Sequence, residues 1–560
     1  MFRTVILIGA TGFFGQRLAR RLASIDGIRL VLTSRSETKA RTLAQRLGGG
    51  ERIIAIAFDR DTGASIARIK ELCPWLVIDT SGPFQEVNFD LARAAIEAGA
   101  HWIDLADARD YLLGFGVALD NLARERNVVA RAGASSTPAL SMAVVEELTR
   151  DWRRVDTIDI AILPGGKGEV GESVIRAALS YAGSQVLVFA EGRSGKVIGW
   201  GYARRLNVDG LGARPVSPVE TADAALMPDR FRIRSRVFFG AALESRVEQF
   251  GLVILAYLRR RGWLSDLERL APFLTRARKL TRLFASDYGG MVVDCVGLNK
   301  DGALVSARWS LLALPGQGPD VPVLPAVALV RALLRGEGKP GAAIAALPLA
   351  TLECEMAPPA LTTSRRVKVM SDPGLVQVAC GADYAGLPSS IKAFHNQDAE
   401  PVWAGKADID ATTSAVGGIV RRAFGFPASG RDLDITVSVD RSADGEIWTR
   451  NFGGQRFFSC LTHEGRNIVS ERFGAFSVML GLRVQNGEIE MPVVGWRIGF
   501  LRLPLFLAPK SETREFVGDD GRFHFNVAIG LSLVGQLVHY RGWLEAKTTA
   551  PREVPESVTR

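Results

Sequence analysis

Apolar and polar positions follow different periods in the two halves of the chain. Over the first 150 residues, short aliphatic runs alternate with segments whose apolar residues recur at helical spacing, which predicts buried parallel strands joined by helices. Beyond residue 384 the period shortens to two, as in 434–439, 523–527 and 537–542. Asp444-Gly445 and Asn486-Gly487 separate such runs and predict hairpins. The pattern therefore predicts an α/β part followed by a mainly antiparallel β part, a small barrel or curved sheet.

The first strand and the turn after it form the most informative stretch. Val5-Ile6-Leu7-Ile8 is followed by glycines in the spacing GxxGxxG and then by a helical pattern. In a dinucleotide-binding βα unit such glycines allow a tight turn, a close approach of backbone to the pyrophosphate, and close helix–strand packing. The helix N-terminus offers free N–H groups to the phosphates. The candidate cofactor contacts in this turn are Gly9, Ala10, Thr11, Gly12, Phe13, Phe14 and Gly15. The alternative is an ordinary strand–helix turn.

The end of the second strand, predicted at 29–33, indicates which cofactor binds. A domain that binds NAD usually carries Asp or Glu there, to hold the ribose 2′-hydroxyl. This chain has Ser34-Arg35 instead, with Lys39 soon after. A guanidinium can hold a 2′-phosphate through two parallel hydrogen bonds. The sequence therefore favours NADP over NAD, unless Arg35 is only a solvated surface cation.

Polar residues also follow the third to sixth predicted strands, at the edge where open α/β sheets bind ligands. Asp59 is predicted beside the adenine. The loop residues predicted beside the ribose or nicotinamide are Ser81, Gly82, Pro83 and Phe84, together with Ser135. Asp104 or Asp107 is the candidate acid or base, with Gln85 or Ser135 positioning the substrate. The alternative for each carboxylate is a structural one, because such carboxylates often cap the next helix.

Four motifs in this half, GATGFFG, SGPFQ, GAHWIDLAD and AGASSTPALS, resemble the saccharopine dehydrogenase-like oxidoreductases, in their broad bacterial branch. The resemblance implies a doubly wound Rossmann domain that binds NADP, followed by a mixed α+β domain, with the substrate between them. It covers the first 150 residues closely and extends more loosely to about residue 355. Because that branch has no settled substrate, the resemblance does not imply saccharopine itself.

The C-terminal half resembles an uncharacterised bacterial domain that is found fused behind such oxidoreductases. The resemblance rests on Leu387-Pro388, Phe394-His395 and the segments WTRNF, LPLFL and YRGWL. This resemblance implies a domain boundary between the two halves of the chain, but it implies no activity. The residues considered for a ligand cavity here are His395, Trp448, Arg450 and Glu471, with structural roles as the alternative.

These patterns predict the following organisation: a Rossmann NADP-binding domain at 1–150, an α+β substrate and dimerisation domain at 151–355, a linker at 356–383, a β-rich domain at 384–548 and a disordered tail at 549–560. A chain of 560 residues is too long for a single core, which agrees with several domains.

Composition and charge limit the partners, the metal sites and the cellular location that we expect for this chain. The net charge of +9 is modest for this length and no nucleic-acid motif is present, so no nucleic-acid partner is predicted. Five scattered cysteines without metal-ligand spacing indicate a reducing compartment, and no metal site is predicted. No secretory signal and no apolar run long enough to span a membrane are read in the sequence, so a cytoplasmic location is expected.

The segment 250–284 is rich in arginine, with Trp263 in its middle and leucines at helical spacing. One interpretation is contact with an anionic membrane surface, at the inner face of the cell membrane, which would suit a lipid-like substrate. The alternative is a pair of packed amphipathic helices that show a solvated basic face. Pro272 favours two short helices over one long helix.

The leading hypothesis is an NADP-dependent oxidoreductase that transfers hydride to or from a small or lipid-like substrate. The alternative is a non-catalytic nucleotide-binding protein whose C-terminal β domain binds a ligand or a partner. An acid or base on the nicotinamide side would distinguish them.

Overall fold

The computed structural model of the chain describes residues 2–82, 84, 88–167, 172–190, 192–201, 204–282, 285–370, 374–395, 402–442, 445–473, 476–498, 501–532 and 534–547. The chain divides into two compact units, Met1–Lys368 and Val369–Arg560. Within the described residues, no helix has the length and apolarity needed to cross a membrane.

The first unit alternates strands and helices along its N-terminal part. Its strands are β1 Arg3–Ile8, β2 Ile28–Ser34, β3 Ile53–Ala57, β4 Leu76–Asp79, β5 His101–Asp104, β6 Val129–Ala132, β7 Arg154–Leu163, β8 Gln185–Ala190, β9 Arg193–Ile198, β10 Arg204–Val208, β11 Gly212–Pro218, β12 Arg236–Ala241, β13 Gly289–Leu298, β14 Leu304–Ala313, β15 Gly341–Ile344 and β16 Leu361–Val369. Its α-helices are α1 Phe13–Ala23, α2 Glu37–Arg46, α3 Gly63–Leu72, α4 Asp90–Glu97, α5 Arg109–Glu125, α6 Ser141–Thr149, α7 Glu172–Tyr181, α8 Asp223–Phe231, α9 Arg246–Arg260, α10 Ala271–Thr281, α11 Leu324–Leu334 and α12 Leu349–Glu353.

Seven parallel strands form the first sheet, in the order β15-β6-β5-β4-β1-β2-β3. Val5 and Leu7 of β1 face the core under α1, whereas Ile6 and Ile8 face the core on the opposite side. Both faces of β1 are therefore covered, which explains why its sequence is continuously apolar rather than alternating. The predicted doubly wound α/β fold is confirmed.

The chain returns to this sheet after the second domain predicted from sequence. β15 pairs with β6, and α11 packs on the same core as α1 through Val327 and Val330. Asp120 accepts the N–H of Ala342 at 2.9 Å, and Arg131 donates to the carbonyl of Gly341 at 2.7 Å. Residues 324–344 thus belong to the N-terminal sheet, although the sequence places them in the 151–355 domain.

The second sheet is mixed, as the predicted α+β domain requires. It runs β10-β11-β12-β7-β13-β14-β16, with β8 and β9 attached beside β12. The central strand β7 pairs parallel with β12 and antiparallel with β13. Asp159 on β7 is buried between Arg204, at 2.9 Å, and Arg236, at 2.8 Å. Burial opposes the ionisation of Asp159, but these two guanidinium groups lower its pKa to about 2.

Part of the predicted linker is a strand. Leu361–Val369 forms β16 at the edge of the mixed sheet, beside β14. Its residues after Leu361 are mostly exposed and polar or charged, as expected of an edge strand. This polar composition is the reason that the sequence reads as a linker.

The second unit is built almost entirely of antiparallel strands, as predicted. Its strands are β17 Val402–Ala411, β18 Gly430–Ser442, β19 Gly445–Phe452, β20 Gln455–Gly465, β21 Ile468–Phe473, β22 Phe476–Gly481, β23 Arg483–Gln485, β24 Glu488–Glu490, β25 Val493–Ile498, β26 Leu501–Arg502, β27 Pro509–Val517, β28 Phe523–Leu531 and β29 Gly535–Lys547. Its α-helices are α13 Leu375–Cys380, α14 Ser389–His395 and α15 Ala415–Phe424.

These strands form one sheet of thirteen, in the order β23-β24-β27-β28-β29-β17-β18-β19-β20-β21-β22-β25-β26. The sheet curls until β25 lies near β27, and α13 and α14 pack against its strands. Asn486 and Gly487 both have positive φ, at 52° and 79°, and they close the predicted hairpin between β23 and β24. Asp444 of the other predicted hairpin and the predicted tail at 549–560 lie outside the described residues.

Candidate nucleotide-binding site

The turn between β1 and α1 has the geometry of a phosphate-binding turn. Gly9 has a φ of 73°, which favours glycine, and the N–H of Gly12 donates to the carbonyl of Gly9 at 2.9 Å. A Cβ on Gly15 would overlap the carbonyl oxygen of Gly9, so only glycine allows α1 to lie this close to β1. No side chain caps α1 and its first turn carries no acidic residue, so its N-terminal N–H groups are available to an anion.

This turn lies at the point where the strand order reverses. From β1 the chain builds β2 and β3 on one side, then returns to build β4, β5 and β6 on the other. The loop after β4 packs directly on the glycine turn, because a Cβ on Gly9 would stand 2.9 Å from Cβ of Ser81. Ligands of open α/β sheets bind in the crevice at such a reversal. The structure thus brings together the predicted turn and the predicted Ser81-Gly82 loop.

The end of β2 presents hydroxyls and a cation. Thr11 Oγ1 donates to Ser34 Oγ at 2.9 Å, and the N–H of Ser36 donates to the same oxygen at 3.2 Å, so the end of β2 is tied to the glycine turn. The side chain of Arg35 is exposed and has no partner among the described residues. The nearest carboxylate in sequence, Glu37, is engaged by Arg41 at 2.6 Å. A guanidinium and hydroxyls at this strand end are groups that can hydrogen-bond a phosphate or a ribose hydroxyl.

The remaining predicted cofactor residues differ in exposure. Ala10 and Phe84 are buried; the N–H of Ala10 donates to Thr33 O at 3.0 Å, and the ring of Phe84 packs 5.4 Å from that of Tyr111. Their side chains therefore belong to the core behind the crevice. Predicted residues that are half-buried are Thr11, Phe13, Phe14, Ser34, Asp59, Ser81 and Ser135, and those that are exposed are Gly12, Arg35, Lys39 and Gly82. Pro83 and Gln85 lie outside the described residues.

Sequence reasoning missed Arg60, which follows β3. Its guanidinium donates to the carbonyl of Ser81 at 2.9 Å and lies 3.3 Å from a carboxylate oxygen of Asp79. Asp79 in turn accepts the N–H of Ser81 at 2.9 Å. Burial raises the pKa of Asp79, whereas Arg60 lowers it. Arg60 and Asp79 together fix the loop that faces the glycine turn. The signal in the sequence is a basic residue directly after Asp59 at a strand end.

Asp104, one of the two predicted acid or base candidates, lies in the core, and its role in catalysis stays a prediction. Its side chain is completely buried. Its oxygens accept hydrogen bonds from the Trp102 indole at 2.8 Å, the Tyr111 hydroxyl at 3.0 Å and the N–H groups of Ala106, at 3.0 Å, and Gly133, at 2.8 Å. Burial raises the pKa of Asp104 to about 6, against those donors. Asp104 thereby ties together the segments that follow β5 and β6.

Asp107 lies in the same loop, but its side chain is exposed whereas that of Asp104 is buried. The surrounding protein raises the pKa of Asp107 through desolvation. Ser135, half-buried in the loop after β6, donates its N–H to the carbonyl of Gly133 at 2.8 Å. Of the two predicted carboxylates, only Asp107 is accessible to a substrate.

Two family models match the chain, one in its N-terminal part and one in its C-terminal part. Residues 5–146 match the saccharopine dehydrogenase NADP binding domain. The predicted resemblance is confirmed. Residues 387–544 match a domain of unknown function, DUF4166, which likewise confirms the resemblance of the C-terminal half. The coarse assignment of an oxidoreductase with a nicotinamide-cofactor domain is therefore supported.

Comparison with the curated proteins finds no match. Among solved structures, saccharopine dehydrogenase (L-Glu forming) from Saccharomyces cerevisiae is 14% identical, with a TM-score of 0.45; the alignment covers 65% of this chain and 100% of that one. Homospermidine synthase from Legionella pneumophila, in complex with NAD, is 12% identical with a TM-score of 0.45, and the alignment covers 66% of this chain and 92% of that one.

Proposed function

We propose that this protein is an NADP-dependent oxidoreductase that transfers a hydride to or from a small or lipid-like substrate. The observation that carries the proposal is the crevice at the strand reversal, where the glycine turn of β1 meets Ser81 and where β2 ends in Ser34-Arg35 without a free carboxylate. The exposed Gly12, where an added Cβ would meet only the carbonyl oxygen of Gly9, and the exposed Arg35 both fit a phosphorylated dinucleotide.

Each part of the site would have a separate role in binding the cofactor or in proton transfer. The N–H groups at the start of α1 would hold the pyrophosphate, Arg35 would hold the 2′-phosphate, and the Ser81-Gly82 loop would face the ribose. NADP(H) supplies the hydride chemistry when bound. A carboxylate oxygen of Asp107 would exchange a proton with the substrate atom that changes charge, and its raised pKa brings it closer to the range useful for acid–base work near neutral pH.

A substrate screen tests the proposal. Purified full-length protein would be mixed with NADPH and with carbonyl, imine or enoyl compounds, and the loss of nicotinamide absorbance followed. We expect turnover with at least one class, and we expect Asp107→Asn to lower kcat by about 100-fold while leaving NADPH binding unchanged. Tight NADPH binding without turnover in all three classes would favour the alternative, a non-catalytic nucleotide-binding protein.

We also propose that the segment 250–284 contacts an anionic membrane surface. The segment forms two helices, as Pro272 predicts, with α9 ending at Arg260 and α10 starting at Ala271. Six of its described leucines pack inward in a small core with α7, so these are not the membrane-facing residues: Leu252, Leu255, Leu264, Leu267, Leu270 and Leu274. The residues proposed to face the membrane are Trp263, which is 72% exposed, and Phe273, which is 65% exposed. Both lie near exposed arginines. Aromatic residues beside cations suit a lipid headgroup region.

Sedimentation with vesicles that contain phosphatidylserine tests this contact. We expect co-sedimentation at low salt that weakens as salt is raised, because surface attraction is screened. Trp263→Ser should reduce it, whereas Val117→Ser should not, since Val117 is an apolar residue on α5, outside the segment, and is even more exposed than Trp263. Absence of binding at low salt, or equal loss in both variants, would refute the proposal.

A further inference from the structure

The inner face of the curled sheet in the second unit lines a partly open cavity of about 100 Å³. Its apolar wall comes from alternate residues of successive strands, among them Ile435, Val437, Val469, Val478, Leu480 and Phe525. A buried water needs roughly 10–15 Å³, so this space is several waters in size, whereas protein cores leave few voids larger than one water. The cavity is therefore a feature to be explained rather than a packing defect.

One group of polar side chains in the cavity wall is already paired. Arg450 donates to Ser459 Oγ at 2.8 Å and to Glu471 Oε1 at 3.2 Å, and Ser459 donates to the same carboxylate oxygen at 2.6 Å. The Arg450 guanidinium also lies over the rings of Trp448, at 5.1 Å, and Phe457, at 5.3 Å. Arg450 and Glu471 neutralise each other, so neither presents an uncompensated charge to a ligand.

A second polar group in the cavity wall, His395 with Glu515, includes a ring nitrogen that makes no hydrogen bond among the described residues. His395 Nε2 lies 2.5 Å from Glu515 Oε2, and both residues line the cavity. The other ring nitrogen of His395, Nδ1, is buried without a hydrogen-bond partner among the described residues. Buried polar atoms are almost always hydrogen-bonded, so an unpartnered one beside a cavity indicates a missing partner. His395 lies beside Glu515 and Arg450 is paired with Glu471, so each basic side chain described in the cavity wall already has a carboxylate partner.

We propose that the inside of this curled sheet binds an uncharged, mainly apolar small molecule that bears a hydroxyl group. The apolar wall would take up the hydrocarbon part. The hydroxyl, which can both donate and accept, would hydrogen-bond His395 Nδ1 in either tautomer of the ring. A carboxylate ligand is disfavoured, because it would lie near Glu515 and Glu471 without a free cation to pair with. This site does not depend on the proposed hydride transfer, since it lies within the second unit alone.

Binding of the neutral fluorescent probe N-phenyl-1-naphthylamine to the full-length protein tests the proposal. We expect saturable fluorescence enhancement that NADPH does not reverse. Addition of 1-octanol should displace the probe at a concentration roughly ten times lower than octanoate does, because burying the carboxylate without a partner costs free energy. No saturable binding, displacement by NADPH, or equal potency of octanoate and 1-octanol would overturn the proposal.

Variants then locate the probe. Val478→Trp should fill the cavity and abolish probe binding, and Val494→Trp is the matched control, because Val494 is 44% exposed on the neighbouring strand β25. Thermal melting checks that each variant is folded, and Val437→Phe replaces Val478→Trp if the latter does not fold. His395→Phe should keep probe binding but require a higher concentration of 1-octanol for displacement, because the hydroxyl loses its hydrogen-bond partner. Unchanged probe binding in a folded cavity-filled variant would overturn the proposal.

Discussion

Asp104 and Asp107 follow the same strand, β5, but their surroundings differ. Because four donors converge on the buried Asp104, Asp104→Asn would place an amide N–H₂ against N–H and O–H groups and leave donors unsatisfied. We expect a loss of about 1–3 kcal/mol in the free energy of unfolding, measured by urea denaturation.

Asp107→Asn is the matched control for that measurement. The exposed Asp107 should change stability by less than about 0.5 kcal/mol, because surface substitutions away from structural features rarely do more. The account would be contradicted if Asp104→Asn left stability unchanged, or if the two variants destabilised the protein equally.

Asp223, at the start of α8, makes stability depend on pH. It is completely buried, and burial raises its pKa from the ordinary 3.8 to about 7. Between these values the folded state holds a proton that the unfolded state has released, so the contribution of Asp223 to stability falls as pH rises through this window.

Asp223→Asn should remove that dependence. The free energy of unfolding of the variant, relative to the wild type, should rise by up to about 4 kcal/mol between pH 4 and pH 8. Urea denaturation at several pH values measures the difference. A difference that stays constant across this range would show that Asp223 does not titrate there.

At this scale the sequence identifies residues better than it identifies their roles. Arg35 could be singled out because the position after β2 is fixed by the first strand and its glycines. Asp104 and Asp107 could not be distinguished, because their difference arises from Trp102, Tyr111 and Gly133, which converge only in the fold. Arg60 was missed for the same reason, since its partner Asp79 is on another strand.

In the turn from β1 to α1, we expect one glycine to matter for NADPH binding and another for the stability of the fold. Gly12 has an ordinary φ of −72° and is exposed, whereas a Cβ on Gly15 would overlap the backbone of Gly9. We therefore expect Gly15→Ala to lower the free energy of unfolding by about 1–3 kcal/mol, the usual cost of overpacking.

Gly12→Ala should fold with a smaller loss of stability and weaken NADPH binding, because its methyl group would stand where the backbone approaches the pyrophosphate. Calorimetric titration with NADPH and thermal melting of both variants measure the two effects. Unimpaired NADPH binding by Gly12→Ala would contradict the assignment of the turn.

The elements that the sequence predicts well are those whose pattern is set locally. The buried run of β1 and the Asn486-Gly487 hairpin need only neighbouring residues. β15 and β16 could not be placed from sequence, because a short apolar run and a polar edge strand acquire their partners, β6 and β14, only through long-range pairing.

Across the whole molecule, contacts divide the chain into two units, and the predicted boundary at residue 150 within the first unit stays a prediction. The N-terminal sheet and the mixed sheet share one unit, since the chain enters the second sheet at β7 and returns to the first at β15. Composition changes mark the second unit clearly, but they do not reveal a return of the chain to an earlier sheet.

The most direct test of the central claim is a thermal-shift titration with NADPH and with NADH, on the wild type, Arg35→Ala and Arg29→Ala. Arg29 is an exposed arginine at the opposite end of β2 and serves as the control. Ligand at 100 times its Kd stabilises the folded state by about 2.7 kcal/mol, so even moderate affinity is visible. The account predicts that NADPH stabilises the wild type and Arg29→Ala, and that Arg35→Ala loses most of the NADPH shift without losing the NADH shift. No shift with either nucleotide, or equal NADPH shifts in all three proteins, would contradict it.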